Sequence, residues 1–255
     1  MKKSLVSVAL LLLAVMLLLT GCGGNKPDGG EPETTTSFEE LASYYDELAK
    51  GDIAVEVETT ENKNKYYEFS GDPNLLPEGV FDKLDNIVRS RYTTMYNRYG
   101  KSFNCPKITL VIDVNYTAKS ACHASDKTIY INPNWFVDHP DDCDELLSAI
   151  AKTMQEYSGT YPEWIESSIR ACMRSEFKTQ YADKNWGLPG SYTGKSYEEG
   201  GIYGAAFLKW IDAKNEQDVI YRLNKVLLDG TYKESFWADE TGLTFGQLWS
   251  LYTEK

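Results

Sequence analysis

Residues Asp142–Tyr157, DCDELLSAIAKTMQEY, hold the most regular helical pattern in the chain. Their apolar side chains recur at three- and four-residue spacing, which predicts an amphipathic helix whose apolar face packs inward. These inward positions are Leu146, Leu147, Ile150, Met154 and Tyr157. Ser148, Lys152 and Gln155 fall on the opposite, polar side of the same helix. The fold therefore depends on the apolar side, and any function of this helix depends on the polar one.

The chain changes character on either side of this helix. Before it, residues 107–113 and 127–133 read as strands, and residues 79–99 read as a long helix. After it, almost every segment has helical spacing. The predicted helices there cover residues 162–175, 196–213, 216–228 and 243–253. Strands confined to the first half, with helices dominating the second, favour an α+β domain with one small mixed sheet.

The N-terminus predicts export and lipid attachment. Two lysines precede the apolar run Leu5–Leu19, whose 15 residues fall short of the ~20 that a membrane-spanning helix needs. The run ends in LLTGC, which resembles a bacterial lipobox, in which the cysteine becomes the lipid-bearing first residue of the mature protein. We expect residues 1–21 to be a lipoprotein signal peptide and Cys22 to be the lipidation site. The mature protein would then be an extracytoplasmic lipoprotein, anchored to the bacterial membrane at the cell surface. An ordinary signal peptide followed by a chance cysteine is the alternative.

Composition divides the remaining chain into three parts. Residues 22–36 are rich in Gly, Pro, Thr and acidic side chains, which cannot bury apolar area, and they predict a flexible linker. Residues 37–75 predict an extension made of a helix and a hairpin, with strands at 53–59 and 66–71, and residues 76–255 predict the main domain. The formal net charge of −12, without a stripe of Lys and Arg, argues against nucleic acid as a partner.

Four cysteines remain beyond Cys22, an even number that predicts two disulfides in an exported domain. Cys105 opens one predicted strand and Cys122 precedes the next, so that a hairpin would bring them together. Cys143 begins one predicted helix and Cys172 ends the next, so that antiparallel helices would bring these two together. We predict the pairs 105–122 and 143–172, with free buried thiols as the alternative.

A series of segments in the main domain follows the order and spacing of a known family. They are ITLVID, TIYINPNWF, DELLSAIAKTMQEY, PEWIESSIRACMR, IYGAAFLKWID, RLNKVLLDGTY, SFWADETG and LTFGQLWSLY. Together they resemble the basic secretory protein family, also called the peptidases of plants and bacteria. The resemblance implies a zincin-like fold, and its most distinctive part is the C-terminal tail.

The family's active members are presumed zinc metallopeptidases that carry His-Glu-x-x-His on a helix. Histidines four residues apart lie on one helical face and bind one Zn²⁺, and the glutamate activates the bound water. The resemblance places Ser148 and Lys152 at the two histidines and Ala149 at the glutamate. A further acidic ligand on the next helix corresponds to Ser167, and the neighbouring Glu166 would point about 100° away from it. All four former metal and catalytic positions lack the family's group, so the resemblance implies a domain without metal or other cofactor.

Two other groups of residues have side chains of the types that bind metal or catalyse reactions. The two cysteines and two histidines between residues 122 and 143 are zinc-ligand types, but Cys122 and His123 would point to opposite faces of an extended segment. The bland interpretation of both histidines, His123 and His139, is a position on a surface loop. Ser148 and Lys152, at i and i+4, match the Ser-Lys pairs that act as nucleophile and base, although a solvated polar face is the simpler interpretation.

These features predict a degenerate, non-catalytic peptidase-like domain that binds a peptide, a glycan or a partner protein. The ligand would lie in the groove of the former active site, against Gln155, Trp164 and Tyr203. Two alternatives stay open, namely an active hydrolase that uses other residues, with Ser148 and Lys152 as the best candidates, and a purely structural interaction module with a filled groove. An ion pair of Lys152 that fills the groove would favour the module, whereas an open pocket would favour binding.

Overall fold

The structure is a computed structural model that describes residues 65–215 and 218–254. The predicted signal peptide, the linker of residues 22–36, and the helix and strand predicted between residues 37 and 59 lie outside the described residues. All described residues belong to one compact unit.

A four-stranded sheet forms one layer of the fold. Its strands are β1 (Tyr67–Ser70), β2 (Ile108–Ile112), β3 (Cys122–Ser125) and β4 (Thr128–Ile131). They lie in the order β1-β2-β4-β3, with β1, β2 and β4 parallel and β3 antiparallel to β4. β1 comes from the predicted N-terminal extension, yet it pairs with the main domain, with Tyr67 opposite Ile108. The small mixed sheet predicted from the sequence is confirmed.

β3 is a strand that the sequence pattern did not predict, because CHAS contains no apolar run. It forms by pairing with β4 around a tight turn at Asp126, whose φ of +54° suits a two-residue hairpin. Cys122 is buried and His123 is exposed, so adjacent side chains on this strand point to opposite faces of the sheet.

Helices make up most of the rest of the described chain. They are α1 (Val80–Tyr99), α2 (Pro133–Asp138), α3 (Glu145–Met154), α4 (Glu163–Glu176), α5 (Gly201–Asn215), α6 (Val219–Leu228), α7 (Phe236–Thr241) and α8 (Phe245–Thr253). The α+β class is therefore confirmed. α2 and α7 were not predicted, because six residues are too few to show a helical period. Within residues 65–215 and 218–254, no helix has both the length and the apolar character needed to cross a membrane.

α3 places the deciding stretch of sequence in the centre of the molecule. Its apolar face is buried as predicted, and Leu146, Leu147 and Ile150 are each 0% exposed. The helix is shorter than predicted, because Gln155 leaves the helical conformation with φ −80° and ψ 62°. α3 packs on β3, on α1 and on α4, so the polar side of the helix lies at its contact with α4.

α4 and α5 pack closely because small residues line their contact. A Cβ atom on Gly204 of α5 would lie 2.0 Å from the hydroxyl oxygen of Ser168 on α4, so that this position has room only for glycine. The Ser168 hydroxyl is itself fully buried and donates to the carbonyl of Trp164 at 2.7 Å. This close contact fixes the rotation of α4, and with it which residues of α4 face α3.

The predicted disulfides are wrong for this structure, in which Cys105, Cys122, Cys143 and Cys172 are all free thiols. Cys105 precedes β2, and Cys122 lies on β3, which is separated from β2 by β4. Cys172 faces α5, where its thiol donates to the carbonyl of Ala205 at 3.6 Å, and so it turns away from Cys143. Burial raises the pKa of the Cys172 thiol to about 12, which keeps it protonated and unreactive.

Candidate functional site

The contact between α3 and α4 is a row of charged and polar side chains, which we call the polar seam. On α3 it contains Glu145, Ser148 and Lys152, spaced by three and four residues along one face. On α4 it contains Glu166, Arg170 and Arg174, spaced by four residues. The seam therefore includes two of the positions at which the resemblance placed former metal ligands.

Lys152 and Glu166 lie at one end of the seam. The Lys152 ammonium forms an ion pair with Oε1 of Glu166, and Arg170 reaches the same oxygen at 3.4 Å. The Tyr161 hydroxyl donates to Oε2 of Glu166 at 3.3 Å. Burial alone would raise the pKa of Glu166, but the hydrogen bond and charge of Lys152, with the charge of Arg170, outweigh it and hold this pKa below its usual value.

Arg174 lies at the other end of the seam. Its guanidinium forms ion pairs with Glu145 and, at 3.1 Å, with Asp142, and it stacks 4.0 Å above the ring of Trp186. Burial raises the pKa values of Glu145 and Asp142, and the charge of Arg174 offsets only part of that rise. This end of the seam is therefore a buried ion pair in which each partner depends on the other.

Gln155 connects the seam to the helices beyond it. Its side-chain amide donates to the carbonyl of Glu166 at 2.9 Å and accepts from Arg170 at 3.4 Å. It also donates to the Tyr157 hydroxyl at 3.3 Å, and that hydroxyl donates to Asn224 on α6 at 2.7 Å. Gln155 is only 8% exposed, and its hydrogen-bonding groups have their partners inside the protein.

The other former ligand positions do not converge on Lys152. Ser148 lies one turn along the same helix from Glu145, and Ala149 is buried. The Ser167 hydroxyl accepts from the backbone N–H of Gly201 at 2.9 Å, so it lies against the start of α5. The sequence correctly separated Glu166 from Ser167 by direction, but it missed that α3 lies on the Glu166 side. The four-residue spacing of Glu166, Arg170 and Arg174 was the signal that identifies the seam.

These residues do not fit a zinc ion. Zinc takes imidazole, thiolate or carboxylate donors, and the seam's carboxylates, Glu145 and Glu166, are already paired with an ammonium and two guanidinium groups that repel a cation. Both histidines are engaged elsewhere, since His123 stacks on Tyr130 with 4.8 Å between ring centroids, and His139 stacks on Trp135 at 4.0 Å. In the part of the chain that the structure describes, no group of three or more His, Cys, Asp or Glu side chains is placed to hold a metal.

A second site, which we call the aromatic pocket, lies where the first turn of α4 meets α7, α8 and the 3-10 turn Tyr197–Glu199. This cavity of about 240 Å³ is lined by Pro162, Trp164, Tyr197, Glu198, Tyr232, Glu234, Trp237 and Phe245. Of the three predicted groove residues it contains Trp164, while Gln155 belongs to the seam network and Tyr203 lies under the ammonium of Lys195. Its two glutamates, Glu198 and Glu234, were not among the predicted site residues.

The small mixed sheet, the helical second half and the central pair of helices define an α+β domain. The family described as BSP, peptidase of plants and bacteria, matches residues 83–252, which is more than half of the chain. The chain belongs to this family, as the sequence predicted. No curated protein and no solved structure matches the chain.

Proposed function

We propose that this protein is a non-catalytic member of the peptidase family that acts as a binding module. The observation that carries the non-catalytic part is the ion pair of Lys152 with Glu166, and the aromatic pocket supports the binding part. An active metallopeptidase needs an open metal position with a water on it. Here a cation of the protein occupies the polar side of α3, and a carboxylate of α4 neutralises it.

The Ser-Lys alternative gains little from the contacts of these two residues. A general base must lie within hydrogen-bond reach of the proton that it takes, whereas the Lys152 amine is engaged with Glu166 on α4. Because the seam is bridged along its length, we assign ligand binding to the aromatic pocket rather than to the seam.

We further propose that the domain is extracytoplasmic and held to the bacterial membrane by lipid on Cys22. The order of lysines, apolar run, small residues and cysteine supports this proposal. In a bacterial host, the wild-type protein should sediment with membranes and Cys22→Ser should not. If both variants were found in the same fraction, Cys22 would not be the anchor.

Metal content and peptidase activity test the non-catalytic proposal. The full chain, purified in mild detergent, should hold less than a tenth of a zinc per molecule and cleave no casein. Its melting temperature should change with neither added Zn²⁺ nor chelator. About one tightly bound zinc per chain, with a melting temperature that falls on chelation, would overturn the proposal.

A matched variant shows that the metal test is sensitive. Replacing Ser148 and Lys152 together by histidine places two imidazoles four residues apart on one helical face, which is a zinc-binding arrangement. This double variant should gain a zinc-dependent rise in melting temperature that the wild type lacks.

A further inference from the structure

We propose that the aromatic pocket binds an organic cation with a quaternary ammonium head group. This inference rests on the proposed binding role and deepens it by naming the class of ligand. The lining carries it, because five aromatic rings and two carboxylates face one cavity that no lysine, arginine or histidine lines.

The rings surround the cavity from several elements. Trp164 and Trp237 are nearly parallel, with 16° between their planes and 6.4 Å between centroids, and both are buried enough to form its floor. Tyr197 meets Trp164 edge to face at 5.0 Å and Phe245 at 4.9 Å. The faces of aromatic rings carry partial negative charge and attract cations, most strongly the weakly hydrated quaternary ammonium ions.

Glu198 and Glu234 give the pocket a net negative charge. Both side chains are exposed, and within residues 65–215 and 218–254 neither forms an ion pair. The neighbouring Glu199 differs, because it pairs with Lys195 at 3.2 Å. The pKa of Tyr197 is raised first by burial and then by the charges of Glu198 and Glu234, so both carboxylates act on this ring. A positive ligand would relieve that unbalanced charge.

The hydrogen-bond donors of the pocket point to the same class of ligand. The indole N–H of Trp237 donates to the Tyr232 hydroxyl at 3.2 Å, and that hydroxyl donates to Glu234 at 3.4 Å. Because these two donors are engaged, fewer donors are left for a sugar, and the carboxylates would repel an anion. A primary ammonium needs three acceptors, whereas a quaternary ammonium needs only ring faces and nearby negative charge.

The size of the pocket limits what enters it. Pockets for drug-sized ligands measure about 300–1,000 Å³, whereas this cavity measures about 240 Å³. It therefore suits a head group rather than a whole peptide or glycan chain.

Titration with two ligands of the same shape tests the proposal. Choline carries the quaternary ammonium, and 3,3-dimethyl-1-butanol replaces its charged nitrogen by carbon. In calorimetric titrations of the full chain at low ionic strength, choline should bind about tenfold more tightly than the neutral analogue. Added salt should weaken choline binding and leave the analogue unchanged. Equal binding of both ligands would overturn the proposal in favour of a neutral apolar site, and no binding of choline would overturn it altogether.

Charge-neutralising variants assign the effect to this pocket. The double variant Glu198→Gln with Glu234→Gln should lower choline affinity about tenfold and not change binding of the neutral analogue. Glu199→Gln is the matched control, because it removes a neighbouring charge that is already paired and retains a capping side chain. Choline binding that is unaffected by the double variant would overturn the assignment to the pocket.

Two further arms complete the test. Methylammonium should bind more weakly than choline, and tighter binding would indicate a primary ammonium site instead. Unchanged melting temperatures would show that the exposed Gln substitutions leave the fold intact. Because these variants do not touch the polar seam, the zinc and casein measurements remain an independent test of the non-catalytic proposal.

Discussion

The charged groups on the two sides of α4 differ in whether they have an ion-pair partner. On one side, Glu166, Arg170 and Arg174 have their partners within the protein, mostly on or next to α3. On the other side, Trp164 packs among aromatic rings whose neighbouring carboxylates, Glu198 and Glu234, have no ion pair in the described part of the chain. Paired charges leave little field for a ligand, whereas unpaired charges beside a cavity attract one. We therefore propose a structural role for the polar seam and ligand binding for the aromatic pocket.

The seam itself differs from end to end. The Arg174 side chain is 4% exposed, whereas the Lys152 side chain is 41% exposed. Water screens the exposed pair, so its contribution to stability is small. The buried pair has lost its hydration, so that removing one partner leaves the other buried without compensation. The following predictions test this gradient and the contrast between seam and pocket.

The largest effect should come from the floor of the pocket. Trp237→Ala should lower the free energy of unfolding by about 3–5 kcal/mol, because it removes a large, buried ring. Trp237 is 1% exposed and packs against Phe236 and Phe245, at 5.3 Å between ring centroids in each case. Urea denaturation measures the loss. As a control, Leu251→Ala on exposed α8 surface should change stability by less than about 0.5 kcal/mol.

The buried end of the seam should come next. Arg174→Met should cost about 3 kcal/mol in urea denaturation, because Asp142 and Glu145 would remain partly buried without their cation. Lys195→Met, which breaks an exposed pair with Glu199, should cost less than about 1 kcal/mol. Equal losses for the two variants would contradict the gradient in burial.

The exposed end of the seam should show a smaller effect. Lys152→Met should cost less than about 1 kcal/mol of unfolding free energy, because the Lys152 side chain is 41% exposed. A loss as large as that expected for Arg174→Met would mean that the ion pair with Glu166 is shielded from water. Equilibrium unfolding of both variants under the same conditions measures the two losses in unfolding free energy.

The smallest effect should be a change in the dependence of stability on pH. The folded pKa of Glu166 lies below its unfolded value of about 4.3. Its contribution is therefore complete above the unfolded pKa and is lost as the pH falls through the folded pKa. The stability difference between wild type and Glu166→Gln should be constant from about pH 6 to pH 5 and shrink below about pH 4. A stability difference that grows as the pH falls would show that the folded pKa of Glu166 is raised instead.

Glu145 should affect the pH dependence of folding stability in the opposite direction in the same experiment. Its folded pKa is raised by burial, so ionisation disfavours the folded state as the pH rises from the unfolded to the folded pKa. In Glu145→Gln that decrease in stability on raising the pH should disappear. Parallel pH profiles for the Glu166 and Glu145 variants would show that the two ends of the seam do not differ in this way.

Local patterns in the sequence predicted several elements well. The period of apolar residues identified α1, α3, α4, β2 and β4 and the buried face of α3, because such periods are properties of neighbouring residues. The order of the landmark segments identified the family. The disulfide prediction for Cys105 and Cys122 assumed a hairpin of the strands at 107–113 and 127–133, whereas β2 and β4 are parallel and Cys122 lies on β3, which was not predicted. Strand pairing of this kind is a long-range property of the fold.

The sequence alone determined the α+β class, the family and the lack of histidine at Ser148 and Lys152. These features depend on residue types and their local spacing. The tertiary structure decided that Lys152 meets Glu166, because the rotation of α4 is set by its close contact with α5 at Gly204. It also brought Trp164, Tyr197 and Trp237 around one cavity from segments far apart in the chain. The angle of one helix against another depends on the packing of the whole core, which no local pattern encodes.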